Sequence, residues 1–303
     1  MTTICNRFWI RGTLLAALCA GLATANDAPP SETSTAATLP AQLQSETLVQ
    51  DKSKDDADEK PNDAKPEAAP ANPSNGQGGK SGVFGHVEVA VNGVERAYRL
   101  VVPKSLDLNK PAPLVFAYHG LGDSKDWMPW HSKLSKLADE KGFILVYPNA
   151  RYRFWPLLPQ IAQDDLKFFD AMYDAITKQY NIDLNRVHVV GMSNGGYFSH
   201  LLASERNGKI ASIVCHSGGL GQYTFQAIDV AQKYSVLVIH GAVDTVVNVT
   251  EGRRVRDFYT KWGHPVEYIE IPGWNHYWAA KKNDAIWDFL QKHPLAPAAK
   301  NGA

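Results

Sequence analysis

From residue 83 onward the chain alternates between short runs dense in aliphatic residues and longer stretches with helical spacing. Residues 86–91 alternate in part, Asn92-Gly93 follows, and a second run covers 95–103. Asn-Gly between two such runs predicts a hairpin. Residues 113–118, 143–148, 187–190, 211–215, 235–240 and 266–271 read as further strands. Between 165 and 180, Leu166, Phe169, Met172 and Ile176 recur at helical spacing, and 197–203, 251–262 and 284–293 also read as helices. This pattern predicts an α/β fold: a mostly parallel sheet, antiparallel at its N-terminal edge, with helices on both faces. No internal repeat interrupts it.

The first 80 residues differ. Arg7 and Arg11, the short apolar core 14–20 and the small residues 23–25 before Asn26 match a secretory signal peptide over 1–25. The apolar run is too short to span a bilayer. Leu18 before Cys19 argues against lipidation. Residues 26–80 are poor in aliphatics and rich in Ala, Pro, Ser, Asp and Lys. Such a composition does not bury enough apolar surface to offset the entropy of ordering, so a disordered tether is expected. The organisation is then 1–25 signal peptide, 26–80 tether, 81–296 catalytic domain and 297–303 tail. A secreted or periplasmic location follows, with no transmembrane span in the mature chain.

Formal net charge is zero, which gives no electrostatic case for nucleic acid. Of three cysteines, only Cys215 lies outside the signal segment, so no intrachain disulfide is expected.

The strand at 187–190 runs into Gly191-Met192-Ser193-Asn194-Gly195, and a helix-like stretch follows. Strand, Gly-x-Ser-x-Gly and helix make a nucleophile elbow, in which the turn exposes the serine hydroxyl. A serine needs a base, and a base near neutrality is best; a carboxylate then orients that base. Asp244 follows the strand ending at His240, and His276 follows the strand ending at Ile271. The order Ser193, Asp244, His276 is that of an α/β-hydrolase, each residue lying just beyond a strand. The N–H groups of Leu121 and Asn194 are the candidate oxyanion donors. Asp257 and Asp284 compete with Asp244 but sit within helices. His188, His200 and His216 read as structural. No zinc-type spacing and no phosphate-cradling loop is present, so neither metal nor cofactor is expected.

Tyr118-His119-Gly120, Val146-Tyr147-Pro148-Asn149, Asp164-Asp165, the elbow, His240-Gly241-x-x-Asp244 and His276-x-Trp278 resemble the esterases grouped with polyhydroxybutyrate depolymerases, and with feruloyl and acetylxylan esterases, over residues 83–293. The resemblance implies Ser193, Asp244 and His276 as the triad and a structural Asp164-Asp165 pair. The chain departs from the family's pattern at Leu121, at Asn275 where Gly is frequent, and at Ala279 where Pro is frequent. His119, Trp127, Trp155, Tyr197, Trp274 and Trp278 are candidate substrate contacts, and aromatic walls suit a sugar or phenolic ring. The expected function is a serine carboxylic-ester hydrolase acting on small or oligomeric esters: polyhydroxyalkanoate oligomers, or feruloyl and acetyl esters of polysaccharides. The alternatives are a prolyl-oligopeptidase-like peptidase and a catalytically silent envelope scaffold. Oligomeric state is left open.

Overall fold

The computed structural model describes residues 70–221 and 232–295. The expected signal peptide, most of the tether and the C-terminal tail lie outside these residues.

The eight-stranded sheet runs β1 (Gly82–Val91), β2 (Val94–Val102), β4 (Ile144–Pro148), β3 (Ala112–Tyr118), β5 (Ile182–Met192), β6 (Ser212–His216), β7 (Ser235–Gly241) and β8 (Val266–Ile271) in spatial order. β1 and β2 are antiparallel to their neighbours, and β4 through β8 pair in parallel. Asn92 and Gly93 have φ of 51° and 77°, the left-handed values that a tight two-residue hairpin turn requires.

Successive residues of β3 feed opposite faces. Leu114, Phe116 and Tyr118 enter one core, and Val115 and Ala117 the other. This two-residue period explains why the inner strands read as unbroken apolar runs. The first core is closed by α3 (Gln163–Gln179), α4 (Asn194–Glu205) and α5 (Val249–Lys261), through residues such as Phe169, Phe198 and Tyr259. The second is closed by α1 (Met128–Ser132), α2 (Leu134–Lys141) and α6 (Asn283–Lys292), through Met128, Leu137 and Trp287. α1 and α2 were not foreseen. Pro129 lies in the first turn of α1, and a left-handed Lys133 (φ 57°) separates α1 from α2, leaving two helices too short for a clear helical period.

Residues 72–80, expected from the sequence to belong to the tether, are hydrogen-bonded to the folded part. Asn72 N donates to Asp183 Oδ1 at 3.0 Å, Ser74 N to Ile182 O at 2.8 Å, and Tyr180 Oη to Lys80 O at 3.0 Å. Hydrogen bonds between this segment's backbone and β5 and Tyr180 need no apolar side chains in the segment, so composition did not reveal them.

Asp165 lies in the first turn of α3, and its Oδ1 accepts from Arg96 Nη2 at 2.7 Å, both side chains being buried. The Arg96 guanidinium also lies 4.3 Å from the Phe168 ring centre. Asn92 Nδ2 donates to Asp164 Oδ1 at 2.7 Å. The acidic pair therefore pins the hairpin to α3, the structural role expected of it.

Candidate active site

Ser193 stands between β5 and α4 with φ 51° and ψ −119°. A non-glycine residue there stores roughly 1–3 kcal/mol of strain, which the surroundings must hold. They do so by close packing. A Cβ on Gly191 would meet the Gly195 carbonyl, and one on Gly195 would meet the carbonyl of Tyr118. Ser193 N donates to His216 O at 2.9 Å, tying the turn to the end of β6.

Asp244 and His276 come from the loops after β7 and β8. His276 Nδ1 lies 2.8 Å from Asp244 Oδ2. With Asp244 ionised, Nδ1 carries the proton and Nε2 keeps its lone pair. The other carboxylate oxygen accepts from Val246 N and Val247 N, each at 2.9 Å. Burial would raise the Asp244 pKa, but the hydrogen bonds from His276, Val247 and Val246 outweigh it, so it is lowered. His240 Nε2 donates to Val247 O at 2.9 Å and lies 3.5 Å from Asp244 Oδ2. No hydrogen bond joins Ser193 Oγ to His276 Nε2 among the described residues. In unliganded sites such contacts are often long and tighten on binding.

Asn275 accounts for one departure from the family pattern. Its Oδ1 accepts from Thr245 N at 3.0 Å, Thr245 Oγ1 at 3.1 Å and His276 N at 2.8 Å. A glycine could not join the two loops in this way. Ala242 N to Ile271 O at 2.9 Å and Val243 N to Trp274 O at 3.1 Å add further links.

Asn194 opens α4, where the first N–H groups lack an intrahelical acceptor. Its side chain is occupied: Oδ1 accepts from Trp155 N at 2.7 Å and Nδ2 donates to Trp155 O at 3.0 Å. Leu121 belongs to the loop after β3. A Cβ on its neighbour Gly120 would lie 3.6 Å from Ser193 Cβ, so this loop runs alongside the nucleophile.

Three expected substrate contacts are instead internal braces. Trp155 is fully buried, and its indole N–H donates to His119 O at 2.9 Å. His119 is also fully buried. Its Nδ1 faces Gly120 O at 2.8 Å, its Nε2 accepts from Ala150 N at 3.2 Å, and burial lowers its pKa. Trp278 is buried, stacks on His216 at 4.8 Å, and donates to Asn283 Oδ1 at 2.9 Å. Periodicity shows neither burial nor partners, and all three lie in loops that fold under the site. Trp274 is half-buried, with Nε1 donating to Tyr277 O at 2.8 Å and Lys281 Nζ 4.8 Å from its ring. Tyr197 is half-buried near Gly219. Trp127 is exposed beside Leu121. His216, read from the sequence as packing, links the elbow to the His276 loop; its place after a strand end was the only sequence signal.

Residues 160–294 match the phospholipase/carboxylesterase family. The chain is 25% identical over 244 residues to a bifunctional acetylxylan esterase/xylanase from Neocallimastix patriciarum, covering 69% of this chain and 35% of that one. It is 30% identical over 187 residues to feruloyl esterase D from Neurospora crassa, covering 58% of this chain and 62% of that one. The chain thus spans less than two thirds of either relative. A ferulic acid esterase from Anaeromyces mucronatus, solved in complex with ferulic acid, superposes with a TM-score of 0.58 at 18% identity, covering 75% of this chain and 96% of that one. With this sheet order, the elbow between β5 and α4, and these matches, the chain has the α/β-hydrolase fold and is similar in sequence to feruloyl and acetylxylan esterases.

Proposed function

We propose that the protein is a serine carboxylic-ester hydrolase working through an acyl-enzyme, with esters of plant or algal polysaccharides as its substrate class. The observation that carries this reading is the 2.8 Å contact between Asp244 and His276 in loops beside the strained Ser193 turn. His276 Nε2 takes the Ser193 hydroxyl proton as Oγ attacks the ester carbonyl. The oxyanion is met by the N–H groups of Leu121 and Asn194, each worth about 2.7–4 kcal/mol in the transition state. Asp244 stabilises the imidazolium, which passes its proton to the departing alcohol. Water, activated by His276, then releases the acid and frees Ser193. Feruloyl and acetyl esters fit the relatives' names; polyhydroxyalkanoate oligomers are a second substrate class for the same chemistry. Residues 1–25 support export. Among the described residues, no helix is long and apolar enough to cross a membrane.

A fluorophosphonate probe is expected to label Ser193 in the folded wild type and not in Ser193→Ala. A panel of p-nitrophenyl, feruloyl and acetyl-saccharide esters is expected to be cleaved by the wild type alone. A folded wild type that is neither labelled nor active on any ester would overturn the reading.

A further inference from the structure

We propose that a solvent-open cavity beside the oxyanion loop, walled by Trp127 and Trp130, is a carbohydrate-binding subsite that holds the saccharide half of the ester. This inference rests on the ester-hydrolase reading above and adds a place for the non-reacting part of the substrate.

The depression is shallow and open, with about 360 Å³ of space between Leu121, Asp123, Trp127, Trp130, His131 and Arg153. It begins next to the nucleophile, because Gly120 packs against Ser193 and Leu121 is the following residue. The two indoles leave 63% and 68% of their surfaces in water. Large aromatic side chains are seldom left so exposed side by side without a use. Their ring centres are 6.5 Å apart with planes at 81°, so they present two walls at right angles rather than one closed stack. Lys133 Nζ lies 5.3 Å from the Trp130 ring centre, steadying that wall.

The floor and rim are polar and fixed. Asp123 Oδ2 lies 2.7 Å from His131 Nε2, and Asp123 Oδ1 accepts from Ser124 N at 2.7 Å. Gly122 N donates to Arg153 O at 2.8 Å, and Arg153 Nη2 donates back to Gly122 O. Arg153 is held at φ 60° by this reciprocal pair, which also fixes the loop carrying Leu121 N. A carboxylate has about four acceptor sites and a guanidinium five donors, so both groups retain capacity for a ligand.

That combination selects the occupant. A pyranose or pentose ring offers C–H faces to stack on indole and several hydroxyls, each both donor and acceptor, along its edge. A phenolic ring would also stack, but it offers fewer hydroxyls than a saccharide to the Asp123 carboxylate and the Arg153 guanidinium.

The test compares wild type, Trp127→Ala, Trp130→Ala and the double variant on acetylated xylo-oligosaccharide and on p-nitrophenyl acetate. Binding of unesterified xylohexaose to Ser193→Ala is followed through tryptophan indole N–H signals. The ratio of kcat/KM for the saccharide ester to that for p-nitrophenyl acetate is expected to fall about tenfold in each single variant, or ~1.4 kcal/mol, and further in the double. Xylohexaose is expected to shift the Trp127 and Trp130 signals saturably. An unchanged ratio, or shifts produced by ferulic acid and not by xylohexaose, would overturn the subsite. Inactivity of the wild type on both esters would instead remove the hydrolase reading, and xylohexaose binding would still report on the cavity.

Discussion

His216 Nε2 accepts a hydrogen bond from Ala279 N at 3.0 Å, three residues beyond His276. The same residue's carbonyl accepts from Ser193 N at 2.9 Å. One side chain at the end of β6 thus holds the loop of the proposed base, while its backbone holds the proposed nucleophile. Burial pushes its pKa down to about 3, so the ring stays neutral, with its proton on Nδ1 toward Ser217 Oγ at 3.2 Å. The link exists because position 279 is Ala; proline there would have no N–H to give.

Replacing His216 with Leu strands the Ala279 N–H. The expected loss is about 1–3 kcal/mol in denaturant unfolding. Turnover of p-nitrophenyl acetate is expected to fall by up to about 10²-fold, as small displacements of reacting groups do. His216→Gln, which restores an acceptor at similar reach, is expected to recover most of both. Equal activity in all three proteins would dismiss the link as inconsequential.

Asp244→Asn keeps the shape of the loop but loses the charge that fixes the His276 tautomer. A drop of about 10⁴-fold in kcat is expected, from steady-state rates on an aryl ester. Unchanged circular dichroism would locate the loss in chemistry rather than folding.

Gly195→Ala places a methyl group against the carbonyl of Tyr118 at the end of β3. Neither backbone segment can yield without moving β3 or α4. Overpacking of this kind costs about 1–3 kcal/mol or more, and the displaced elbow should abolish fluorophosphonate labelling. A folded, fully labelled Gly195→Ala protein would contradict the packing described.

Arg96 and Asp165 form a buried pair far from Ser193 in sequence and function. Burial raises the Asp165 pKa despite the guanidinium. Removing one partner leaves an uncompensated charge, at about 3–5 kcal/mol, so Arg96→Ala should lower the unfolding midpoint strongly. Arg96→Met with Asp165→Leu should recover much of the loss. The quantity to compare is unfolding free energy in urea.

Three fully buried histidines, His188, His200 and His216, have pKa values lowered by burial from 6.5 to about 3. In the unfolded chain they protonate near pH 6.5; in the fold they do not. The unfolded state therefore binds more protons between these values, and their contribution to stability, complete above pH 6.5, declines as pH falls. Three such groups give a slope of roughly 4 kcal/mol per pH unit at its steepest. Unfolding measured from pH 7.5 to 4.5 should steepen below pH 6.5, and His188→Gln should remove about one proton from the uptake. A flat profile over this range would contradict the burial of these rings.

The sheet, its antiparallel edge and the elbow were legible in the sequence because each leaves a local mark. Buried parallel strands are apolar throughout, an Asn-Gly turn has its own backbone demand, and a strained serine needs small neighbours at 191 and 195. The three proposed reactive residues could also be named from the sequence, since each follows a strand and the topology sends those ends to one edge. Which aromatic rings face water was not legible: Trp127 and Trp155 look alike as letters, yet one is exposed and the other entirely enclosed. Nor could the sequence show that Asn275 ties two loops together, that His216 reaches Ala279, or that residues 72–80 bond to the start of β5 and the end of α3. Burial and long-range hydrogen bonds depend on what the rest of the chain brings alongside, so tertiary packing alone decided them.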